Sequence, residues 1–192
     1  LKLTNPIAVG DYVMLENEKN QSTAVISDIL PRDNYIIRKS TRKQHFSHIL
    51  ASNIDQAYLM VTVRSPRTSL GFIDRFLVSA ESFRIPSTIL INKVETLTKQ
   101  KDLDFKQELH DIYAPLGYPV VELSALHDED LMQKFKPGLE GKTTLSAGHS
   151  GVGKSTLLNR LIPNATQATQ EVSKFSSKGV HTTTFAEMFP FG

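Results

Sequence analysis

The glycine-rich octapeptide Gly148-His149-Ser150-Gly151-Val152-Gly153-Lys154-Ser155 restricts what this chain can fold into more than any other feature. A short β-like run, Thr143 to Ala147, precedes it, and a helical stripe of Leu157, Leu158, Leu161 and Ile162 follows. Glycine is required where successive backbone N–H groups converge on phosphate oxygens, because side chains would block the approach. The helix that starts after the loop adds the positive end of its dipole. Strand, glycine-rich turn and helix in that order predict a nucleotide-binding α/β domain. Lys154 is expected to reach the outer phosphates and the Ser155 hydroxyl to ligate Mg²⁺. Thr156 closes the motif.

The same alternation runs upstream. Ala57 to Val63 is apolar apart from Thr62, as in a strand buried on both faces. Phe72, Ile73, Phe76, Leu77 and Ala80 form one helical stripe, and Phe105, Leu109, Ile112 and Tyr113 form another. Between and after them, Thr88–Ile91 and Pro119–Leu123 read as strands, and Leu131–Phe135 as a short amphipathic helix. Strands alternating with crossover helices predict a parallel sheet between helical layers over residues 53–192. Residues 1–52 differ. Tyr12–Leu15, Thr23–Ile26 and Tyr35–Ile37 are β-rich runs bounded by turn clusters, and Pro6 and Pro31 argue against a helix. A small all-β barrel lacking its first strand is expected there. An OB-like barrel fits the size, although strand runs alone do not separate it from an SH3-like one.

Composition narrows the class. With 40% hydrophobic and 22% charged residues, the 192-residue chain reads as an ordinary soluble globular protein, and a cytoplasmic monomer is the expectation. No apolar run approaches the roughly 18 residues of a membrane helix, so no membrane partner is expected. The absence of cysteine excludes a thiol nucleophile, a disulfide framework and a cysteine-ligated zinc within these residues. A net charge of +2 does not announce nucleic acid, but residues 32–43 hold Arg32, Arg38, Lys39, Arg42 and Lys43 against Asp33 alone. That stretch could track phosphates, with Tyr35 and Phe46 stacking on bases. A solvated basic loop is the competing reading.

Three further motifs lie around the glycine-rich loop. Asn92-Lys93-Val94-Glu95 directly follows the strand Thr88–Ile91 and resembles the guanine-reading motif Asn-Lys-x-Asp. In that motif a carboxylate accepts guanine N1–H and the 2-amino group, donors that adenine lacks. Glu95 replaces the usual aspartate and carries the carboxylate one methylene outward. Ser124-Ala125-Leu126 follows the next strand, and the Ala125 N–H is expected at guanine O6. Gly179-Val180-His181-Thr182-Thr183-Thr184 lies one switch-loop length past the phosphate-loop helix. Thr182 or Thr183 would complete the Mg²⁺ shell, with Thr183 taken as the metal ligand, and His181 is either the group that positions water or a structural histidine. His149 is expected to pack or face solvent.

In an ordinary small GTPase the phosphate loop precedes the base-reading motifs; here it follows them. The four motifs in this order resemble the ribosome small-subunit-dependent GTPase A family (RsgA, also YjeQ), and Leu30-Pro31-Arg32 and Asn53-Ile54-Asp55-Gln56 look like further signatures of it. The resemblance implies a circularly permuted P-loop GTPase domain preceded by an OB-like barrel that contacts ribosomal RNA. It implies binding of GTP and GDP with Mg²⁺, and action on the small ribosomal subunit late in its assembly, with hydrolysis stimulated by the ribosome. It also implies an Asp-x-x-Gly switch motif and a C-terminal zinc module, neither of which these residues reach; truncation before both is the expectation. A P-loop ATPase or kinase, and a nucleotide-gated binding module with negligible turnover, remain the alternatives.

Overall fold

A computed structural model describes residues 2–3, 6–18, 23–39, 46–162, 165 and 186–191. The chain divides into two compact units, one built on residues up to Ile54 and the other beginning at Asp55.

Among its described residues the first unit is all β. Its strands are β1 (Lys2–Leu3), β2 (Val13–Asn17), β3 (Ala24–Ile29), β4 (Tyr35–Lys39) and β5 (Phe46–Ser52). Among the described residues they form two sheets, one in the order β1-β5-β4 and one pairing β2 with β3. Strand β5 carries no continuous β-rich signal in the sequence, because His48 and Ser52 interrupt it. Its antiparallel pairing with β4 buries Ile36, Ile49 and Ala51.

A polar node holds this unit. The Asp11 carboxylate, 1% exposed, accepts from Arg32 Nε at 2.6 Å and Nη2 at 2.7 Å. It also accepts from Ser52 Oγ at 2.5 Å and the Ala8 N–H at 2.8 Å. The Arg32 guanidinium holds Asp11 well below the usual carboxylate range, against burial, with Ser52 and Ala8 assisting. Arg32 also donates to the Pro6 carbonyl. Arg32, read as part of a phosphate-tracking stretch, thus has its Nε and Nη2 bonded inside the unit. Nearby, Asn34 exchanges two 2.8 Å hydrogen bonds with the Ile54 backbone, and Asn53 Nδ2 donates to the Gly10 carbonyl. These bonds give the Leu30-Pro31-Arg32 and Asn53-Ile54 phrases a structural role.

The second unit alternates strand and helix: β6 (Gln56–Thr62), α1 (Leu70–Ser82), β7 (Ser87–Asn92), α2 (Gln100–Tyr113), β8 (Val120–Leu123), α3 (Leu131–Leu139), β9 (Thr144–Ala147) and α4 (Lys154–Leu161). Among the described residues its four strands are parallel, in the order β8-β7-β6-β9. Strand alternation sends Leu59, Val61, Ile89 and Ile91 to the face covered by α1 and α2. It sends Met60 and Leu90 to the other face, where α3 and α4 supply Leu131, Phe135, Leu157 and Leu161. Helix α3 runs further than the sequence suggests, with Pro137 inside it. Among the described residues no helix is long and apolar enough to cross a membrane.

This topology sets the position of the site. The chain steps from β6 to β7 to β8 in one direction, then returns to place β9 on the other side of β6. Ligands of open parallel sheets bind where such a reversal splays apart the loops leaving the carboxyl ends of the strands. In parallel strands those ends lie on one edge whatever the chain order, so the reversed motifs still converge.

Candidate nucleotide site

Asn92 ends β7, in register with Thr62 of β6 and Leu123 of β8. Ser124-Ala125 therefore begins where β8 stops, beside Asn92, and Gly148 begins where β9 stops. Asn92 is 3% exposed, and both ends of its amide are bonded. Its Nδ2 donates to the Val152 carbonyl of the glycine-rich loop at 2.8 Å, and its Oδ1 accepts the Ala125 N–H at 2.8 Å. One buried side chain thus joins three motifs from three loops. The Ala125 N–H, expected at guanine O6, is committed to Asn92 in this structure.

Lys93 adopts the left-handed conformation, with φ 65°. Its ammonium donates at 2.7 Å to the Ser65 carbonyl and at 2.7 Å to the Gly151 carbonyl. It thereby ties the loop after β6 to the glycine-rich loop. Val94 and Glu95 sit in a 3-10 turn, Val94–Thr96. Val94 packs on the α1–α2 face of the core, whereas Glu95 is exposed and has no partner among the described residues. Its carboxylate is open to a ligand donor.

The glycine-rich loop is shaped by close approach. At Gly148 a Cβ would overlap the Met60 carbonyl of β6, and at Gly153, where φ is 106°, it would overlap the Asn92 amide. Val152 is fully buried among Met60, Leu90 and Leu157, which fixes the loop to the core. Among the described residues, no acceptor takes the backbone N–H of Gly151, Val152, Gly153, Lys154 or Ser155. Five consecutive donors at the start of α4 form an anion cradle, so the loop fits the phosphates of a nucleotide. Lys154 Nζ donates to the Gly148 and His149 carbonyls at 2.9 and 2.8 Å, and burial pushes its pKa down. A phosphate group would offer that ammonium charged acceptors in place of carbonyls. Ser150 and Ser155 are exposed, and Thr156 is half-buried. The Ser155 hydroxyl has no partner among the described residues, which fits a Mg²⁺ ligand.

The His149 ring stacks on Phe72 of α1, centroids 3.8 Å apart and planes at 30°. Ser124 is buried, and its N–H donates to Asp128 Oδ2 at 2.9 Å. Phe72, Ser65 and Asp128 were not legible as site residues. The tetrapeptide Arg64-Ser65-Pro66-Arg67 is a turn signal that could have marked the loop after β6, but nothing local signals its contact with Lys93. His181, Thr182 and Thr183 lie outside the described residues, as do the side chains of Arg38, Lys39, Arg42, Lys43 and Phe46.

The chain resembles known proteins over most of its length. A family model described as RsgA GTPase matches residues 29–192. Small ribosomal subunit biogenesis GTPase RsgA of Azobacteroides pseudotrichonymphae is 49% identical over 188 residues, which cover 98% of this chain and 60% of that protein. The protein of the same name from Bacteroides fragilis is 48% identical over 190 residues, 99% of this chain and 60% of that protein. Among solved structures, YjeQ from Thermotoga maritima superposes with a TM-score of 0.64 at 35% identity, over 84% of this chain and 56% of that one. YloQ, described as a circularly permuted GTPase, gives 0.61 at 33% identity, over 84% and 52%. The chain thus spans about 60% of the curated relatives' length.

Proposed function

From the premise that this chain belongs to the RsgA GTPase family, we propose that it binds GTP and GDP with Mg²⁺, hydrolyses GTP to GDP and phosphate, and serves maturation of the small ribosomal subunit. The observation that carries this reading is the double hydrogen bond of Asn92, which draws the Asn-Lys-x-Glu, Ser-Ala and glycine-rich loops to one sheet edge. A site for phosphate alone would have no use for such a link to the loops that face a base.

In this reading the N–H groups of Gly151 to Ser155 cradle the phosphates. Lys154 exchanges its loop carbonyls for phosphate oxygens, so it favours the bound nucleotide only where negative charge is present. Mg²⁺, held by Ser155 and by Thr182 or Thr183, would neutralise charge that builds on the phosphates. Glu95 receives guanine N1–H and the 2-amino group, its exposure giving the longer side chain room to adjust. His181 positions the attacking water.

The first unit is assigned as an OB-like barrel that contacts ribosomal RNA, which its all-β composition supports. With Arg32 committed to Asp11, the phosphate contacts fall to Arg38, Lys39, Arg42 and Lys43. The protein acts as a monomer in the cytoplasm.

Calorimetry with GDP and ADP in the presence of Mg²⁺ tests the nucleotide assignment, and a clear preference for GDP is expected. Equal binding of the two would turn the reading toward a P-loop ATPase. Turnover measured with and without small ribosomal subunits tests the rest. Stimulation is expected, and negligible turnover in both would leave a nucleotide-gated binder.

A further inference from the structure

The loop 124–128 uses almost all of its own backbone donors. Ser124 N–H goes to Asp128 Oδ2, and Ala125 N–H to Asn92 Oδ1. His127 N–H and Asp128 N–H both return to Ser124. Leu126 N–H is the exception, with no acceptor among the described residues, and Leu126 itself is 63% exposed. The loop therefore offers one uncommitted donor beside Asn92.

Its carbonyls meet a single guanidinium. Arg160, in the last turn of α4, donates from Nη1 to the Leu126 carbonyl at 2.8 Å and toward the Ala125 carbonyl at 3.5 Å. Its Nη2 donates to the Asp128 carbonyl at 2.5 Å. A peptide unit is planar and trans, so its C=O and N–H point in opposite directions. Drawing the Ala125 carbonyl toward α4 aims the Leu126 N–H, which shares that peptide plane, away from α4. The guanidinium fork holds several acceptors at fixed angles, which a lysine ammonium does not reproduce.

We propose that Arg160 is a positioning residue for base recognition, and that the donor it orients to the 6-oxygen of guanine is the Leu126 N–H. The proposal rests on the assignment of a guanine nucleotide to this site. It gives α4 two tasks: its N-terminal end meets the phosphates, while its C-terminal end sets the loop that reads the base. Base selectivity is thereby tied to the helix that carries Lys154.

The test compares the chain with its Arg160→Met and Arg160→Lys variants. The probes are GDP, the diphosphate of inosine, the diphosphate of 2,6-diaminopurine riboside, and inorganic tripolyphosphate. The first two bases carry the 6-oxygen and the third an amino group in its place. Arg160→Met is expected to weaken GDP and inosine diphosphate by roughly tenfold, as the loss of charge-assisted hydrogen bonds implies. Diaminopurine diphosphate and tripolyphosphate should be unchanged, with Arg160→Lys intermediate. Equal weakening of all four probes would reduce Arg160 to a general structural role, and no change in any would remove it from recognition; either overturns the proposal. Should Arg160→Met not fold, Arg160→Gln, which keeps one donor, carries the same comparison. If the unmodified chain fails to prefer GDP over ADP, the guanine assignment itself has failed, an outcome visible before any variant is made.

Discussion

Strands β3 and β7 have the same length, six residues each, and nearly opposite surroundings. Five residues of β7 are buried, while five of β3 are exposed. β7 lies between two neighbours in the parallel sheet, with helices on both faces, so most of its side chains leave water. β3 pairs only with β2 among the described residues, and Met14, Leu15, Val25 and Ile26 stay exposed on that pair. Burial stabilises the second unit in proportion to its apolar area. The first unit has less of that contribution and leans on a charged node, Asp11–Arg32–Ser52, that tolerates little change. In the second unit the buried amide of Asn92 lies at the carboxyl edge of the sheet and bonds the loops that leave it.

The change that should disturb this contrast most is Arg32→Met. It leaves the Asp11 carboxylate almost fully buried without its counter-charge, which costs about 3 kcal/mol. Hydrogen exchange should accelerate in β3, β4 and β5, with β6 and β7 unchanged. Slowed exchange in the first unit would mean that the node is not what holds it.

Asn92→Ala should come next, at about 2 kcal/mol, because the buried Ala125 N–H and Val152 carbonyl both lose their partner. Its signature is local to the second unit: faster exchange in 124–128 and a lost preference for GDP over ADP. A stability loss without a loss of preference would separate Asn92 from recognition.

Acid should act in the same direction on both units and more strongly on the first. Asp11 has a depressed folded-state pKa, so its stabilisation is fully present above the ordinary carboxylate value near ~4 and fades as pH falls toward the folded value. Glu122 in β8 behaves likewise. Burial raises its pKa, but the hydrogen bonds from Lys106 at 2.7 Å and His110 at 2.9 Å outweigh that and leave it lowered. Glu122 is about a third exposed and its pairs are partly screened, so Glu122→Gln should remove well under about 1 kcal/mol near neutral pH. Circular dichroism from about pH 5 down to about pH 1, the window such a depressed carboxylate spans, should show strand signal lost earlier than helix signal. The reverse order would invert the comparison.

A comparably small effect is expected of Tyr113→Phe. Its hydroxyl links α2 to α1 through Asp74 at 2.7 Å, and burial followed by that carboxylate pushes its pKa up. Removing one such bond at a partly exposed partner should cost about 0.5–1 kcal/mol, read as a slightly lower thermal midpoint. A larger loss would show that the second unit also depends on polar links.

Much of the second unit was legible because its signals are local. Apolar runs such as Ala57–Val63 and helical stripes such as Phe72 to Ala80 lie within one strand or one turn series. The glycine-rich loop states its own geometry, since only glycine satisfies the approach to Met60 and Asn92. The first unit was less legible. β5 mixes polar and apolar residues and is stabilised by a partner strand rather than by its own pattern. Charge alone did not reveal the node either: Arg32 stands in a basic set, and its acceptor is 21 residues away.

By itself the amino-acid order determined the α/β class of residues beyond Asn53, the glycine-rich turn ahead of α4, and the placing of the Asn-Lys-x-Glu and Ser-Ala motifs at strand ends. Tertiary structure alone decided how those motifs share their atoms. The partners of Asn92 are 33 and 60 residues distant, and Arg160 reaches carbonyls 32 to 35 residues away. No local periodicity encodes such contacts, because they exist only once parallel strands bring their carboxyl ends to a common edge.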